Sequence, residues 1–461
     1  MPHSRRRFLK TAAVAAAGAS LFDVRELLAA GPYTRLDVGP LTSSSPTLVA
    51  YAKAIKQMQA LPASNPLSWT YQAAIHGTFT TPTMPAWNTC QHGTQWFWAW
   101  HRMYLYWFER IIKKFSGDPT FAIPYWNYEL STERHLPAPF RVVGSPLYTP
   151  NRGPGWNAGT ASLSSSAVAT SGFMPVVPYF TAQSNCESTP HGAVHVSIGG
   201  WMGSVPTAAQ DPIFYLHHAN IDRFWNLWLK QGGGRSSPVN DSTWNSKKFL
   251  FFNENGAQVW MTPCDILRCA QQLNYNYQGE GTQVNQYCLK PFPWWIFDLQ
   301  VLAELQPIKL PPGPDPGPIE INVRELRQRL LGVAKEPNTD LTLELDDVEA
   351  DKQPDVYWEV YLGLPKGTAP SSDSAYYIGN IALFGHGIRD AHQHEGAEPA
   401  KFSFKIDRAM QNALAKDESG KTHLTFVARG AVIKGAKDAV RSNATVSVGK
   451  VRIASRRLKK T

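Results

Sequence analysis

Histidines set within long aromatic helix patterns constrain this chain more than any other feature. Between residues 92 and 112, apolar side chains recur at the spacing of one helix face and predict a buried stripe of Trp98, His101, Leu105, Phe108 and Ile112. His92 stands nine residues before His101, about 180° away on an ideal helix. The two imidazoles can share a site only if His92 lies at or before the helix start, which Gly93 permits.

A second group of histidines lies further along the chain. His191 and His195 stand at positions i and i+4, which puts both imidazoles on one helix face. Asp211 and Pro212 then predict a helix start, with Asp as the N-cap and Pro in the first turn. Its buried stripe is predicted to contain Phe214, His218, Ile221, Trp225 and Trp228. His217 would lie about 100° off that stripe, so His218 is the better ligand candidate.

The two groups together indicate a metal site. Imidazoles that face inward among Trp and Phe side chains each bring a buried nitrogen that needs a partner, and a metal ion satisfies them together. Sets made of imidazole alone suit copper or zinc, with copper the higher in intrinsic affinity. Zinc hydrolases usually add a carboxylate or cysteine ligand, and the sequence contains no HExxH motif. The pattern therefore favours copper.

Over roughly residues 33–240 the chain resembles the tyrosinase, catechol oxidase and molluscan haemocyanin family. The motifs that carry the resemblance are His92…His101-Arg102…Tyr104-Leu105…Glu109-Arg110 and Asp211-Pro212-Ile213-Phe214-Tyr215-Leu216-His217-His218-Ala219-Asn220-Ile221-Asp222-Arg223-Phe224-Trp225. The resemblance implies a mainly α core, a four-helix bundle around two copper ions with dioxygen as co-substrate. It implies one copper ion bound by His76, His92 and His101, and the other by His191, His195 and His218. The same motif contributes neighbours of the ligands, namely Phe214, Asn220 and Asp222.

Shorter matches extend the resemblance. Cys90-Gln91-His92 is similar to the Cys-x-His motif that forms a thioether crosslink in fungal tyrosinases and molluscan haemocyanins, here between Cys90 and His92. Tyr275-Asn276-Tyr277 resembles the tyrosine motif that ends the core of plant and fungal enzymes. Residues 249–269 resemble the middle domain of the plant enzymes. The C-terminal residues would correspond to the shielding domain of those enzymes, which covers the copper site until it is removed or displaced.

Changes in composition and residue pattern divide the chain into five predicted parts. Residues 1–30 resemble a twin-arginine export signal, because Arg5-Arg6-Arg7 precedes an Ala-rich stretch, so we expect export to the periplasm or the outside of the cell. Residues 31–242 would form the dicopper domain and residues 243–306 a middle segment packed on it. Residues 307–318 read as a Pro-rich linker. In residues 319–461, runs of period-two alternation predict a β-sandwich.

The net charge, the N-terminal apolar stretch and the cysteines indicate which partners and which disulfide bonds to expect. The formal net charge is +9, but no stripe of Lys and Arg alternates with aromatic residues, so we expect no nucleic-acid partner. Charged residues interrupt the N-terminal apolar stretch well short of the roughly 20 residues of a membrane span, so no membrane anchor is expected. Beside Cys90, disulfides could form in three pairings among Cys186, Cys264, Cys269 and Cys288. The sequence does not identify a copper chaperone.

Three residues bear on which phenol would be oxidised. In bacterial tyrosinases the residue after the first ligand of the second copper is often Asn, which helps a Glu to hold an activating water. Here that residue is Gly192, which favours oxidation of o-diphenols or o-aminophenols to o-quinones or quinone imines. Val205 takes the place of the bulky gate Phe of plant catechol oxidases, and Glu187 is a candidate base. Monophenol hydroxylation, which also needs deprotonation of the phenol, is the alternative reaction. A haemocyanin-like oxygen carrier is the contrasting class, and a copper-scavenging structural protein a third interpretation.

Overall fold

The computed structural model of the chain describes residues 32–281, 284–288, 295–313, 317–322, 339–387, 399–407, 410–411, 421–433 and 441–460. The predicted export signal, residues 1–30, lies outside these ranges. No helix within them is long and apolar enough to cross a membrane.

A helical core comes first, as predicted. Its α-helices, in chain order, are α1 (Pro46–Gln59), α2 (Trp69–His76), α3 (Phe97–Ser116), α4 (Tyr179–Cys186), α5 (Ala193–Ile198), α6 (Val205–Ala208), α7 (Ile213–Lys230) and α8 (Ser242–Ser246). Single 3-10 turns are Ser131–Glu133, Ala138–Arg141, Gly200–Gly203 and Pro263–Asp265, and wider π-type turns are Glu187–Gly192 and Cys269–Leu273. Helices α2, α3 and α5 carry His76, His101 and His195, and α7 carries His217 and His218.

Helix α3 runs through the middle of the core. The predicted stripe is buried, but so are residues between its members, including Trp100, Arg102 and Tyr104, because neighbouring segments surround the helix on nearly every side. The helix ends at Gly117, whose φ of 71° is the left-handed conformation that commonly closes a helix. Helix α7 starts one residue later than predicted, where Oδ1 of Asp211 accepts the Ile213 N–H at 3.1 Å.

Short strands brace this core. They are β1 (Tyr33–Arg35), β2 (Ala161–Ser162), β3 (Phe249–Phe252), β4 (Gln258–Met261) and β5 (Tyr275–Tyr277). Strands β3 and β4 form an antiparallel hairpin, and β1 pairs with β5 in parallel, so the tyrosine motif is joined to the beginning of the described chain.

A buried charge network links β1, α3, α7 and β5. Arg35 lies 3.1 Å from Glu109 and 3.2 Å from Asp222, and Asp222 also binds Arg102. The Asp222 carboxylate accepts the hydroxyls of both tyrosines of β5 at 2.5 and 2.6 Å. Removing one partner of such a network would leave an uncompensated buried charge, at a cost of about 3–5 kcal/mol. The network fixes α3 against α7, the two helices that face each other across the histidines.

The C-terminal part is a β-sandwich, as predicted. Its strands are β6 (Trp295–Leu305), β7 (Ile308–Lys309), β8 (Gly317–Asn322), β9 (Thr339–Ala350), β10 (Tyr357–Leu362), β11 (Tyr377–Ile381), β12 (Ala400–Ile406), β13 (Lys421–Arg429), β14 (Val432–Ile433) and β15 (Val446–Lys460). One sheet has the order β11-β10-β13-β8, and the other β12-β9-β15-β6 with β7 also on β15. Their inner faces bury a shared apolar core that includes Leu343, Val360, Phe426 and Val451.

Two predicted boundaries are wrong. Residues 295–305 do not belong to a middle segment on the core, because β6 pairs with β15 inside the sandwich. Residues 307–318 do not link the two parts, because β7 also pairs with β15 while β8 pairs with β13 of the other sheet. The described residues on either side of the Pro-rich stretch therefore lie in different sheets of the sandwich. The described core ends at Cys288, and the described sandwich begins at Trp295.

The five cysteines form one disulfide bond and leave three free thiols. Cys264 and Cys288 are joined in a disulfide, which fastens the end of the core to the turn at Pro263–Asp265. Cys186 and Cys269, which could have formed a second bond, are buried free thiols, as is Cys90. The two thiols sit in separate parts of the core, since Cys186 ends α4 and Cys269 contacts Asn226 on α7.

The sandwich lies directly on the helical core. Strand β14 pairs with β2 of the core, Val432 opposite Ser162. The Tyr357 hydroxyl lies 2.6 Å from the hydroxyl of Ser164 and 2.7 Å from that of Ser166. These contacts hold one edge of the sandwich above the helices that bear the histidines.

Candidate metal centre

Eight side chains form two compact groups in the core. The first group is His76, Cys90, His92 and His101, and the second is His191, His195, His217 and His218. Within each group the atoms that could bind a metal all lie within 4.8 Å of one another. The six predicted ligands fall into the two predicted sets of three. The structure adds Cys90 to the first set and His217 to the second.

The first group is assembled from three segments. His76 is the last residue of α2, His101 lies in the first turns of α3, and His92 lies in the loop before α3, as its spacing required. Gly93, with a φ of 65°, turns the chain just after His92. Gly77 is needed for a different reason, since a Cβ there would come within 2.7 Å of the Val205 carbonyl oxygen. That oxygen lies 3.0 Å from Nδ1 of His76.

The second group is carried entirely by helical segments. His191 lies in the turn Glu187–Gly192, which is kinked where Thr189 adopts extended backbone angles before Pro190. His195 lies on α5, its ring centroid 4.7 Å from that of His191. His217 and His218 come from α7 and are fully buried.

Backbone carbonyls set the tautomer of four of these imidazoles. Nδ1 of His76, His101, His191 and His195 lies 2.7–3.0 Å from the carbonyl oxygens of Val205, Phe97, Glu187 and Met202, respectively. Because a carbonyl oxygen can only accept, each Nδ1 donates, and in the neutral ring the lone pair is left on Nε2. This is the arrangement that metal-binding imidazoles usually show.

The groups fit a metal ion in other respects. Burial lowers the pKa of His101 to about 3, and burial with the charges of neighbouring imidazoles lowers the pKa of His191 well below its ordinary value, so both rings are neutral at neutral pH. Nε2 of His191 is buried and meets no hydrogen-bond partner among the described residues. Nε2 of His195 and Nε2 of His218 are 3.3 Å apart, a spacing that suits two nitrogen ligands about 2 Å from one ion.

The two groups face each other closely. The rings of His101 and His218 stack with centroids 4.5 Å apart, and those of His92 and His191 are 5.3 Å apart. The Phe214 ring packs against both groups, 4.7 Å from His76 and 4.2 Å from His218. Two ions held by these groups would therefore be close neighbours in an apolar surrounding.

Cys90 lies against His92 as the predicted crosslink requires. Its sulfur is 3.6 Å from both Nδ1 and Nε2 of His92, so it lies on the bisecting plane of the ring, which contains the Cε1 carbon. It is also 3.4 Å from Nε2 of His101. Burial raises the pKa of the Cys90 thiol, which keeps the sulfur protonated before any reaction.

Of the three predicted neighbours of the ligands, Phe214 packs against both histidine groups, whereas Asp222 and Asn220 have other partners. Asp222 belongs to the charge network with Arg35 and Arg102, and its described contacts include no histidine. Oδ1 of Asn220 accepts from Arg223 at 3.1 Å. His217, set aside in the sequence because it falls off the apolar stripe, is drawn into the second group, and its Nδ1 lies 3.1 Å from the Tyr128 hydroxyl.

Glu187, Gly192 and Val205 all lie beside the histidines. The Glu187 side chain is buried and accepts the Gly93 N–H at 2.6 Å. Burial raises the pKa of this carboxyl well above its ordinary value, although the Gly93 N–H opposes the shift. Gly192 and Val205 both meet one stretch of the sandwich, residues 380–386, here called the capping segment. A Cβ at Gly192 would lie 3.2 Å from Cβ of Ala382, and a Cβ at Gly385 would lie 2.9 Å from Cγ2 of Val205.

The capping segment inserts an aromatic ring between the two groups. The ring of Phe384 is stacked on that of His195, 3.9 Å between centroids and 10° between planes. It meets the rings of His92 and His191 edge-on at 5.4 and 5.5 Å. Sequence reasoning did not identify Phe384. The only local signal is its place before Gly385-His386-Gly387, where two positive-φ glycines mark a tight loop.

The comparisons with known proteins agree with this geometry. The family model of the common central domain of tyrosinase matches residues 66–174 and 160–231, and that of the polyphenol oxidase middle domain matches residues 238–287. Residues 320–456 match a domain of unknown function.

Two curated relatives illustrate the sequence likeness. Tyrosinase HcTyr1 of Hahella sp. (strain CCB-MM4) is 34% identical over 284 residues, covering 50% of this chain and 60% of its own. The chloroplastic polyphenol oxidase of Malus domestica is 31% identical over 287 residues, covering 53% of this chain and 48% of its own. The chain thus spans between about half and three fifths of the length of these relatives.

Solved structures share the whole fold. A latent aurone synthase superposes with a TM-score of 0.64 at 20% identity, covering 93% of this chain and 90% of its own. The latent apple tyrosinase superposes with a TM-score of 0.62 at 22% identity, covering 92% of this chain and 97% of its own. Both likenesses concern the fold, a helical core followed by a β domain. Together with the two family models and the paired histidine groups, they lead to one conclusion: residues 66–231 carry the common central domain of tyrosinase, and residues 238–287 carry the polyphenol oxidase middle domain.

Proposed function

We propose that this chain is a copper-dependent phenol oxidase that uses dioxygen to convert o-diphenols, or o-aminophenols, to o-quinones or quinone imines. We further propose that it is latent until its sandwich is displaced. The observation that carries the proposal is the position of Phe384, an aromatic ring held between two facing groups of neutral imidazoles.

Six histidines would hold the metal. We assign His76, His92 and His101 to one copper ion and His191, His195 and His218 to the other, because one potential ligand atom from each ring converges within its group. Such a copper pair, when bound, supplies dioxygen binding and two-electron oxidation. Burial keeps the imidazoles neutral, the four carbonyl contacts orient them, and Phe97 and Phe214 keep the surroundings apolar.

The Phe384 ring indicates how an aromatic substrate would bind. A phenol is the same size as this side chain, so a phenol in its place would stack on His195 and present its edge to His92 and His191. Stacking would orient the ring, and orientation is what the oxidation requires of the protein. Substrate and Phe384 cannot occupy this position together.

The surroundings favour diphenols over monophenols. Glu187, the candidate base, is buried with a raised pKa and already accepts the Gly93 N–H, and Gly192 brings no side chain that could position a water. A monophenol needs a base for its hydroxyl proton before hydroxylation, whereas an o-diphenol oxidation makes a smaller demand. Monophenol hydroxylation by way of Glu187 is the second candidate reaction.

Latency would result from the capping segment. Phe384 fills the substrate position, and Gly385 is so close that a Cβ there would lie 2.2 Å from Nδ1 of His92. The sandwich must therefore move, or be cut away, before a substrate can reach His195. An oxygen carrier would instead keep this cover in place permanently.

Two further features of the proposal concern maturation. The equal distances from the Cys90 sulfur to the two ring nitrogens of His92 support a thioether crosslink between these residues. The Arg5-Arg6-Arg7 motif supports export by a twin-arginine route, which carries folded proteins. Mass spectrometry of the protein purified from its host would test both, through two missing hydrogens in the Cys90–His92 peptide and a processed N-terminus.

The test of the main proposal is a spectrum followed by an activity measurement. Copper-loaded protein is titrated with peroxide, and catechol and tyrosine oxidation are measured before and after cleavage at a protease site inserted between Cys288 and Trp295. This site separates core from sandwich, whereas a cut at residues 307–318 would leave both fragments paired inside the sandwich. A matched variant, Phe384→Ala, opens the same position without cleavage.

We expect a near-ultraviolet band with peroxide and catechol oxidation that rises after cleavage and in Phe384→Ala. A protein that binds two copper ions yet shows neither band nor turnover after cleavage would refute the oxidase proposal. A band that forms reversibly with dioxygen, without catechol turnover, would support the oxygen carrier instead. Faster turnover of tyrosine than of catechol would favour the second candidate reaction.

A further inference from the structure

We propose that Gly192 is the positioning residue that keeps the capping segment seated: because it has no side chain, the sandwich can approach the histidine-bearing turn closely enough to hold Phe384 in the substrate position. This inference rests on the proposed latency, and it attributes that latency to the contact between Gly192 and the capping segment. Gly192 would then serve two purposes, since the same position bears on the choice between diphenol and monophenol.

The contact at Gly192 leaves almost no space. A Cβ at this position would lie 3.2 Å from Cβ of Ala382 and 3.5 Å from the Ala382 carbonyl oxygen, both on the capping segment. It would also lie 3.3 Å from the Glu187 carbonyl oxygen within the core. The backbone of Gly192 is ordinary helix, with φ of −62°, so a larger residue is excluded by packing and not by backbone strain.

The capping segment cannot easily slide away from such a side chain. The Ser188 hydroxyl donates to the Asn380 carbonyl oxygen and accepts the Ala382 N–H, both at 3.1 Å. Nδ2 of Asn380 donates to the Ser166 carbonyl oxygen at 2.8 Å. These bonds anchor the segment to the core on both sides of Ile381, directly above Gly192.

The packing around Ala382 leaves it fully enclosed by buried residues of the core and the sandwich. Ala382 is fully buried in a cluster with Ala167, Ala193, Val196 and Tyr357. Ala193 and Val196 belong to α5, the helix of His195. A side chain added at position 192 could therefore be accommodated only if the capping segment moved outward.

Such a movement would reach Phe384 directly. Phe384 is two residues beyond Ala382, and its stacking on His195 at 3.9 Å depends on where the segment enters the core. Any residue at position 192 large enough to help position a water would thus also loosen the cover. The sequence departs here from the Asn of bacterial tyrosinases because this chain uses the position for a close contact between core and sandwich.

The test compares three variants of the full chain. Gly192→Ala adds a single Cβ at the contact. Gly203→Ala is the matched control, because Gly203 also lies between histidine-bearing helices but a Cβ there would have nothing within 4 Å. Gly192→Ala combined with Ala382→Gly removes the opposing Cβ and should restore the fit. Should Gly192→Ala not fold, Ala382→Val presses on the same contact from the sandwich side and replaces it.

The first measurement is hydrogen exchange in the metal-free protein, on the peptide that contains Ala382. We expect exchange about tenfold faster in Gly192→Ala, the factor that corresponds to about 1.4 kcal/mol, no change in Gly203→Ala, and recovery in the double variant. The second is the ratio of catechol oxidation before cleavage to that after cleavage, which should rise by a similar factor in Gly192→Ala and return in the double variant.

The two measurements separate the two proposals. If exchange is unchanged in Gly192→Ala, or if Ala382→Gly does not reverse it, the contact does not hold the capping segment and this inference is wrong whatever the activity. If exchange responds as expected but cleavage of the unsubstituted protein does not raise turnover, the packing role stands and the proposed latency fails.

Discussion

The two histidine groups lie only a few ångströms apart but are held in different ways. The second is carried by two helical segments, and its four imidazoles are fully buried. The first combines two helix ends with a loop residue, His92, which is only half-buried. A helix holds its ligands through its own backbone hydrogen bonds, whereas a loop ligand needs other contacts to limit its motion. For His92, these contacts come from Cys90 and from the capping segment. The ligand that lies in a loop is therefore the one that both the Cys90 sulfur and the sandwich contact.

The largest expected effect tests which histidine of α7 completes the second group. We expect His218→Ala to lower bound copper from two ions to one and to abolish catechol oxidation, because Nε2 of His218 lies 3.3 Å from that of His195. His217→Ala should keep two ions and lose about 10–100-fold in affinity or activity, the usual effect of a residue that supports the ligands. Copper analysis with turnover after cleavage checks both. The reverse order of effects would make His217 the ligand.

The second prediction concerns the loop ligand. Cys90→Ser should weaken copper binding at the first group by about 10–100-fold, because His92 loses the sulfur that fixes its ring, and should leave the second group intact. Competition with a copper chelator gives the two affinities separately. Cys269→Ser is the matched control, as it replaces another buried free thiol, which contacts Asn226 and belongs to neither histidine group. Equal weakening of both copper ions would show that the groups do not differ as described.

The third prediction rests on burial of the imidazoles. Unfolded histidines take up protons near pH 6.5, while burial lowers the pKa of His101 to about 3 and those of His195 and His218 well below the ordinary value. Between these limits the unfolded chain binds more protons, so the free energy of unfolding of the metal-free protein should fall as pH drops from 6.5. Each buried histidine contributes at most about 1.4 kcal/mol per pH unit.

Urea unfolding followed by tryptophan fluorescence at several pH values would measure that slope. His217→Gln should reduce it by up to the contribution of one histidine, because burial lowers the pKa of His217 as well. A slope of opposite sign, or one that His217→Gln does not change, would mean that this imidazole is protonated in the folded core.

The smallest expected effect concerns the support of His217. Tyr128→Phe removes the hydroxyl that lies 3.1 Å from Nδ1 of His217 and should destabilise the core by about 1 kcal/mol, with both copper ions retained. Tyr179→Phe is a matched control in the same core, since the Tyr179 hydroxyl meets no hydrogen-bond partner among the described residues. Loss of the second copper ion in Tyr128→Phe would indicate that His217 is itself a copper ligand.

Much of the molecule could be predicted from the sequence because its signals are local. The periodicity of residues 97–112 and 213–228 predicted both central helices and their buried faces. The i, i+4 spacing of His191 and His195 predicted two convergent rings, and alternation predicted the sandwich. Each depends only on residues within a few turns of one another, which is the range over which periodicity carries information.

Only the tertiary structure decided the remainder, because it depends on pairs of segments far apart in the chain. The pairing of β6 with β15 moved the domain boundary, although the Pro-rich stretch was the stronger local signal. Helix packing brought His217 into the second group despite its place off the apolar stripe. The seating of Ala382 on Gly192 and of Phe384 on His195 joins residues about 190 positions apart. By itself the sequence determined the two central helices, the sandwich and the imidazoles that can bind metal; long-range packing decided what covers them.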